Sequence, residues 1–247
     1  MCLIAFAWRC SASYPLILVA NRDEWHARPA APLQVWSDGR IWAGRDLQAG
    51  GTWLGVTAGG RMAALTNVRE AAAPRAARSR GLLVRDYLGA SQPARAYAEA
   101  VLAEAEHYAG FNLLLRDGPH LHYVSNRYPP RWDLPAGVYG LSNAGLDSPW
   151  PKLEILRERL RQGLTQVEEA AWTWLTDRQQ AEDAALPQTG IDPAWEKVLS
   201  AAFIVAPGYG TRSSAVLLQG EQTRFCEQRW DARGEAEGER TCLGMTI

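Results

Sequence analysis

The chain carries, directly after Met1, the stretch Cys2-Leu3-Ile4-Ala5-Phe6-Ala7-Trp8, which decides the fold class. Successive side chains of a β-strand point to opposite faces. One face of this strand then holds Cys2, Ile4, Phe6 and Trp8, and the other holds Leu3, Ala5 and Ala7. A strand that is apolar on both faces is typical of the middle of a layered structure, because neither face meets water.

Outward from this strand, the chain passes through strand-like, helix-like and again strand-like segments. Leu16 to Ala20 predicts the hairpin partner of the first strand, and Ala58-Gly59-Gly60 predicts the turn of a second hairpin. Apolar residues then follow helical spacing, including a helix that begins at Pro151. Later strands are predicted over residues 201–206, 214–219 and 223–230. This order predicts two sheets with helices outside them, an α+β layered sandwich formed by residues 1–247 as a single domain.

The composition argues against several classes of protein. The 26 Lys and Arg residues balance the 27 Asp and Glu residues, so no overall field attracts nucleic acid or a membrane surface. No apolar stretch approaches the roughly 20 residues that span a bilayer, and residues 3–8 are too short for a signal peptide. We therefore expect a cytoplasmic protein without integral membrane association. In that reducing compartment the four cysteines, which form no CxxC pair, are expected to be thiols.

Cys2 is a candidate nucleophile. Its small side chain predicts that methionine aminopeptidase removes Met1 and leaves Cys2 with a free α-amine. An unperturbed thiol has a pKa of about 8.5 and an α-amine one of about 7.7–8.0, so the amine can take up the thiol proton near neutral pH. Nucleophile and base then belong to one residue. A small second residue is common in proteins, so the neighbours of Cys2 decide the interpretation.

Asn21-Arg22-Asp23-Glu24 supplies those neighbours, because it ends the strand that is predicted to pair with the first. On an extended chain Arg22 and Glu24 share one face, and Asn21 and Asp23 share the other. A tight hairpin brings this strand end beside Cys2, which makes Arg22 the expected partner of a Cys2 thiolate. The alternative is a strand end that simply meets solvent.

Several short motifs follow one another along the chain. They are Met1-Cys2, Asn21-Arg22-Asp23-Glu24, Gly50-Gly51-Thr52-Trp53-Leu54-Gly55, Leu65-Thr66-Asn67-Val68-Arg69, Ser79-Arg80-Gly81, Leu141-Ser142-Asn143 and Thr211-Arg212-Ser213-Ser214. With these motifs the sequence resembles the NRDE family, also called the transport and Golgi organisation protein 2 family, over nearly the whole chain. That family is distantly similar to the cysteine N-terminal-nucleophile (Ntn) hydrolases of the bile-salt hydrolase and penicillin V acylase type. The resemblance implies an Ntn hydrolase-like, four-layer αββα sandwich.

The resemblance also implies roles for individual residues. Cys2 matches the nucleophile of those hydrolases, and Arg22 is similar to their active-site arginine. Asn67 resembles their oxyanion-hole asparagine, whose amide donates to a developing oxyanion. Asn143 resembles a later asparagine that touches the N-terminus, and Arg212 resembles their second arginine.

One position departs from the hydrolase pattern. In the hydrolases an aspartate follows the arginine by three residues, and this chain has Trp25 there. Either Asp23 or Glu24 must then orient the α-amine, and we favour Asp23.

These observations lead to two expectations about function. The first is a hydrolase that cleaves a non-peptide amide or ester of a small molecule through Cys2, without a required cofactor. The second is a non-catalytic trafficking protein on the same fold that binds haem, lipid or acyl-coenzyme A, because members of the family have been associated with such ligands. His120 and His122 share a strand face but have no third ligand nearby, so we expect a solvated strand edge there and no metal site.

Overall fold

A computed structural model describes residues 2–71 and 77–246. The chain divides into two compact units. The first comprises the residues up to Ala27 together with Ala136–Thr246, and the second comprises Arg28–Pro135. Each unit contains one antiparallel sheet, and the described residues form five α-helices, consistent with the predicted α+β class. In the described ranges no helix has the length and apolar character needed to cross a membrane.

The strands and helices are numbered along the chain. The strands are β1 (Cys2–Trp8), β2 (Leu16–Trp25), β3 (Ala30–Val35), β4 (Ile41–Asp46), β5 (Leu54–Thr57), β6 (Met62–Asn67), β7 (Phe111–Asp117), β8 (His120–Ser125), β9 (Gly137–Leu141), β10 (Val205–Ala206), β11 (Tyr209–Gln219), β12 (Gln222–Arg229) and β13 (Thr241–Thr246). The helices are α1 (Gly81–Gly89), α2 (Ala94–Ala103), α3 (Pro151–Gln162), α4 (Val167–Leu175) and α5 (Pro193–Val198).

The sheet of the first unit has the order β13-β12-β11-β2-β1-β9, and the short β10 pairs with β11. Every side chain of β1 is buried, which confirms the prediction of a strand covered on both faces. The face of Leu3, Ala5 and Ala7 packs against α3 and α4. Burying a large apolar side chain stabilises the fold by about 1.5–3 kcal/mol, so β1 contributes on both sides of the sheet.

Helix α3 lies directly on this sheet. Pro151 occupies its first turn, where a missing backbone N–H costs no hydrogen bond. Its buried stripe consists of Leu153, Leu156 and Leu160, as the spacing predicts. Leu153 packs so closely on β9 that a Cβ at Gly140 would lie 2.7 Å from its Cγ. A glycine is therefore needed at this position for the helix to approach the strand.

The sheet of the second unit has the order β3-β4-β5-β6-β7-β8. Ala58-Gly59-Gly60 forms the predicted hairpin turn between β5 and β6, and Gly60 adopts a positive φ of 80°. Helices α1 and α2 bury their apolar stripes on this sheet. Pro93, at the start of α2, provides no side-chain cap, and Asp117 of β7 accepts a hydrogen bond from the Ala94 backbone N–H instead.

Two sequence-based strand predictions differ from the structure. Asn21-Arg22-Asp23-Glu24 lies inside β2 and does not end it, since pairing with β11 continues to Trp25. The strand predicted over 201–206 is wrong except for Val205–Ala206. Its earlier backbone groups bond elsewhere: Phe203 N–H donates to the carbonyl of Asp177, and Ile204 N–H donates to the Thr211 hydroxyl. A buried apolar loop has the same composition as a buried strand, which explains the error.

The expectation that all four cysteines are thiols is wrong for Cys226 and Cys242, which form a disulfide. They lie directly opposite each other in the β12–β13 pair, with Cα atoms 4.1 Å apart. Their separation of 16 residues in sequence gives no sign of this pairing. Cys2 and Cys10 are free cysteines, one buried and one exposed.

Asn21 is the centre of a buried polar network on the helix side of the first sheet. Its amide donates to the carbonyls of Leu175 and Ala202 at 2.7 and 2.8 Å. Its carbonyl oxygen accepts from the Ser214 hydroxyl at 2.6 Å, and that hydroxyl accepts from the indole of Trp230 at 2.9 Å. The Asn21 side chain thus forms hydrogen bonds with the end of α4, with the loop before β10 and with strand β11.

We predict that Asn21→Leu destabilises the protein by about 3 kcal/mol, because two buried carbonyls and a hydroxyl lose their partner. Urea unfolding with an unchanged denaturant slope measures the effect. Gln180→Ala, which removes an exposed amide, is the control and should leave the midpoint unchanged. An Asn21→Leu protein within about 0.5 kcal/mol of wild type would contradict the role of this network.

Candidate functional site

Cys2 begins β1 and lies directly opposite Arg22 of β2. Its side chain is 6% exposed. Met1 lies outside the described residues. The structure therefore brings Cys2 and Arg22 together as the hairpin prediction required.

The environment of Cys2 disfavours a resting thiolate. Burial raises the pKa of its thiol to about 11, and the negative charges of Asp23 and Glu24 act in the same direction. The positive charge of Arg22 lowers this pKa but does not outweigh the burial. At neutral pH the thiol is protonated, so Arg22 alone does not supply a thiolate. Any nucleophilic chemistry at Cys2 needs a base that takes the proton during the attack.

Asn143 reaches the region of Cys2 from the other neighbour of β1. Strand β9 pairs with β1 through Ile4 and Leu141, and the chain continues into Ser142 and Asn143. The Ser142 hydroxyl lies within 3.5 Å of both the Cys2 carbonyl oxygen and the Asn143 side-chain oxygen. Asn143 is 1% exposed. Asn143 thus follows the strand that pairs with β1, two residues beyond the partner of Ile4.

The four polar residues of β2 divide between the two faces of the sheet. Asn21 and Asp23 point to the helix side, where the Asp23 carboxylate accepts from the Thr211 hydroxyl at 2.8 Å. Arg22 and Glu24 share the face of Cys2 and form an ion pair at 3.8 Å. Asp23 is 1% exposed and raises the pKa of Cys2 more than Glu24 does. Of the two acids, Asp23 thus has the stronger electrostatic effect on Cys2.

Arg212 occupies a β-bulge in β11. Thr211 pairs with Asp23 and Ser213 pairs with Arg22, so Arg212 is an extra residue between them. Its guanidinium donates to the backbone carbonyls of Trp25 and His26 at 3.1 Å each. Burial lowers the pKa of Arg212, and the charges of Arg22 and Arg229 lower it further. Three arginines therefore influence one another on this sheet.

Asn67 belongs to the second unit. It ends β6, as the sequence predicted, and pairs with Phe111 of β7. Cys2, Arg22, Asp23, Asn143 and Arg212 all belong to the first unit.

His120 and His122 lie on the edge strand β8, and the expected solvent exposure is found for His120 but not for His122. His120 is exposed and its Nδ1 lies 2.6 Å from an Asp133 carboxylate oxygen. His122 is buried, its Nδ1 accepts from the Asp133 backbone N–H at 3.0 Å, and its ring contacts Trp132 edge-on. Across residues 2–71 and 77–246, no three His, Cys, Asp or Glu side chains converge in a way that could hold a metal ion.

Sequence reasoning missed three contributors to this region. Ser142 and Thr211 stand inside recognised motifs, but their contacts to Cys2 and Asp23 depend on strand register. Arg229 belongs to no motif, and only its pairing with Ser213 across β11 and β12 connects it to Arg22. The sequence offered one sign of Arg229. Strand alternation over residues 223–230 puts its side chain on the same face of the sheet as that of Phe225.

Comparison with known proteins agrees with this arrangement of motifs. The family model described as Transport and Golgi organisation 2 (TANGO2) matches residues 1–232. The chain is similar to a Transport and Golgi organization protein 2 homolog from Bos taurus and to one from Homo sapiens, each 35% identical over 243 residues and 88% of both chains. Transport and Golgi organization protein 2 from Drosophila melanogaster is 31% identical over 176 residues, 62% of this chain and 61% of its own. The chain therefore belongs to the Transport and Golgi organisation 2 family.

Proposed function

We propose that this protein is an Ntn-type amidohydrolase that uses Cys2, after removal of Met1, to cleave a non-peptide amide or ester of a small molecule in the cytoplasm. The observation that carries the proposal is the set of groups around the start of β1. Arg22 lies directly opposite Cys2, Ser142 connects Cys2 to Asn143, and the charge of Asp23 acts on the thiol.

In the proposed reaction the Cys2 sulfur attacks the carbonyl carbon of the substrate while the α-amine of Cys2 takes the thiol proton. The amine then gives this proton to the leaving nitrogen or oxygen as its bond to carbon breaks. Water attacks the resulting thioester, which releases the acid and restores the thiol. Because burial raises the pKa of the thiol, its proton has to be taken up during the attack, and the α-amine is the base in this proposal.

The other residues have supporting roles in this proposal. Asp23 holds the α-amine, and Asn143 orients the N-terminus. Arg22 and Arg212 stabilise negative charge on the sulfur or the substrate.

The proposal includes the four-layer αββα arrangement of Ntn hydrolases. Two observations support it. Ile4, Phe6 and Trp8 are buried on the face of β1 opposite to α3 and α4. In the second unit α1 and α2 bury their apolar stripes on the sheet.

A second candidate is a ligand carrier without turnover. The name of the family refers to transport, and the protonated state of the Cys2 thiol together with a half-exposed Trp25 favours this candidate. The ligand would be haem, a lipid or acyl-coenzyme A, held without covalent chemistry.

Titration with haem, followed at its Soret band, separates the two candidates. The hydrolase proposal predicts that p-nitrophenyl acetate acylates the wild type and that Cys2→Ala abolishes acylation, with no saturable Soret shift in either protein. The carrier candidate predicts that p-nitrophenyl acetate does not acylate the wild type. It also predicts a saturable Soret shift in the wild type that persists in Cys2→Ala.

The free α-amine is the first requirement of the proposal. We predict that the wild-type protein has lost Met1 by intact mass. A lysine inserted between Met1 and Cys2 should block that processing and slow acylation by p-nitrophenyl acetate about 10²–10⁴-fold, the usual contribution of a general base. Cys10→Ser is the control and should acylate like wild type. Equal acylation of the blocked and the wild-type chain would disprove the role of the amine.

Asp23→Asn should have two effects of known sign. The carboxylate raises the pKa of the Cys2 thiol, so its removal lowers that pKa, increases the thiolate fraction and speeds alkylation by iodoacetamide at a fixed alkaline pH. The α-amine loses its counter-ion, so its pKa also falls and the acid limb of the acylation profile moves to lower pH. Asparagine keeps an acceptor for Thr211.

Glu24→Gln is the matched control for this change. Because Glu24 acts more weakly on Cys2, both of its shifts should be smaller. Alkylation and acylation rates measured from about pH 6 to 10, which spans the ordinary α-amine value and stays below the pKa of the buried thiol, decide the comparison. Larger shifts in Glu24→Gln than in Asp23→Asn would assign the orienting role to Glu24.

A further inference from the structure

Four residues form a row across the first sheet on the face of Cys2. Cys2 lies opposite Arg22, Arg22 lies opposite Ser213, and Ser213 lies opposite Arg229. Directly opposed residues of antiparallel strands point to the same face, so both arginines share the face of the thiol. With strands about 4.8 Å apart, the row extends roughly 14 Å from Cys2.

The bulge in β11 adds a third arginine to this face. Thr211 bonds to Asp23 and Ser214 bonds to Asn21, so both point to the helix side. In a regular strand, side chains alternate between the two faces, so a single residue separates two residues that point to the same face. Here two residues intervene, and Arg212 and Ser213 therefore both point to the face of Cys2. The bulge shifts the β11–β2 register by one residue, so that Ser213 and not Arg212 lies opposite Arg22.

Three guanidinium groups in one area repel one another unless negative charge is close. Glu24 lies 3.8 Å from Arg22, and Glu237 lies 3.0 Å from Arg229, but half of the Glu237 side chain is exposed to solvent. The charges of Arg22 and Arg229 act on Arg212 in the direction expected of such repulsion. A bound anion would relieve it, and planar guanidinium forks match the geometry of carboxylate and phosphate groups.

We propose that Arg22, Arg212 and Arg229 form an anion-binding subsite beside Cys2, and that the substrate is an acyl compound with a carboxylate or phosphate group on its acyl chain. The inference rests on the proposed function, because it specifies the substrate class of the same nucleophile. The neutral end of the acyl chain carries the carbonyl that Cys2 attacks, and the anionic end lies along the arginine row.

The test compares the alkylation of Cys2 by iodoacetate, which is anionic, and by iodoacetamide, which is neutral, in the full-length protein. Both reagents consume the thiolate, so the ratio of their rates cancels the thiol pKa and reports only on charge. Cys10, which is exposed, provides the reference ratio in the same molecule. Peptide mass spectrometry separates the two sites.

We expect the ratio of the iodoacetate rate to the iodoacetamide rate to be about tenfold higher at Cys2 than at Cys10, because the positive field of the arginines attracts the anionic reagent. Arg229→Gln should lower the ratio at Cys2 about threefold. Arg224→Gln is the matched control, since Arg224 lies on the same strand with the opposite alternation and pairs with Glu168. High salt should lower the ratio in the wild type without any substitution.

Protection experiments distinguish the two anions. Glutarate that slows alkylation of wild-type Cys2 saturably indicates a carboxylate ligand, and inorganic phosphate that does so indicates a phosphate ligand. A ratio at Cys2 equal to that at Cys10, insensitive to salt, would overturn the subsite and leave the nucleophile intact. A Cys2 that reacts with neither reagent would overturn the proposed function and the subsite together.

Discussion

The register between β1 and β2 is the constraint on which the candidate site depends. Seven consecutive residue pairs join these strands, from Cys2 with Arg22 to Trp8 with Leu16. Both faces of β1 are buried, so a slip by one residue would move every side chain of the strand to the wrong side. The apolar residues of the hairpin therefore hold Cys2 opposite Arg22. The same register determines which face of the sheet each polar residue of β2 points to.

The Asn21-Arg22-Asp23-Glu24 segment performs two tasks because strand alternation separates its members. Asn21 satisfies buried backbone carbonyls on the helix side, which is a structural task. Arg22 and Glu24 face the thiol side, and Asp23 acts on Cys2 through its charge from a buried position. The sheet therefore divides this motif between its two faces, and Asp23 acts on Cys2 from the face that it shares with Asn21.

Much of this fold follows from local pattern. The alternation in residues 2–8, the Gly59-Gly60 turn and the leucine stripe of α3 each predict their element correctly, because each depends only on nearby residues. The NRDE resemblance likewise leads to the right family. What could not be predicted depends on distant pairing. The disulfide needs the β12–β13 register, and the direction of Arg212 needs a bulge that only the pairing with β2 defines.

The network around Asn21 has a consequence for biosynthesis. Its partners Leu175, Ala202 and Ser214 follow it by 154, 181 and 193 residues. At about 5–20 residues per second, a ribosome needs roughly 10–40 s to deliver them. During that interval the first hairpin has emerged, yet the amide of Asn21 and the open edge of β2 have no native partner. The nascent chain thus carries the edge of β2 without its neighbour until β11 has been made, near the end of synthesis.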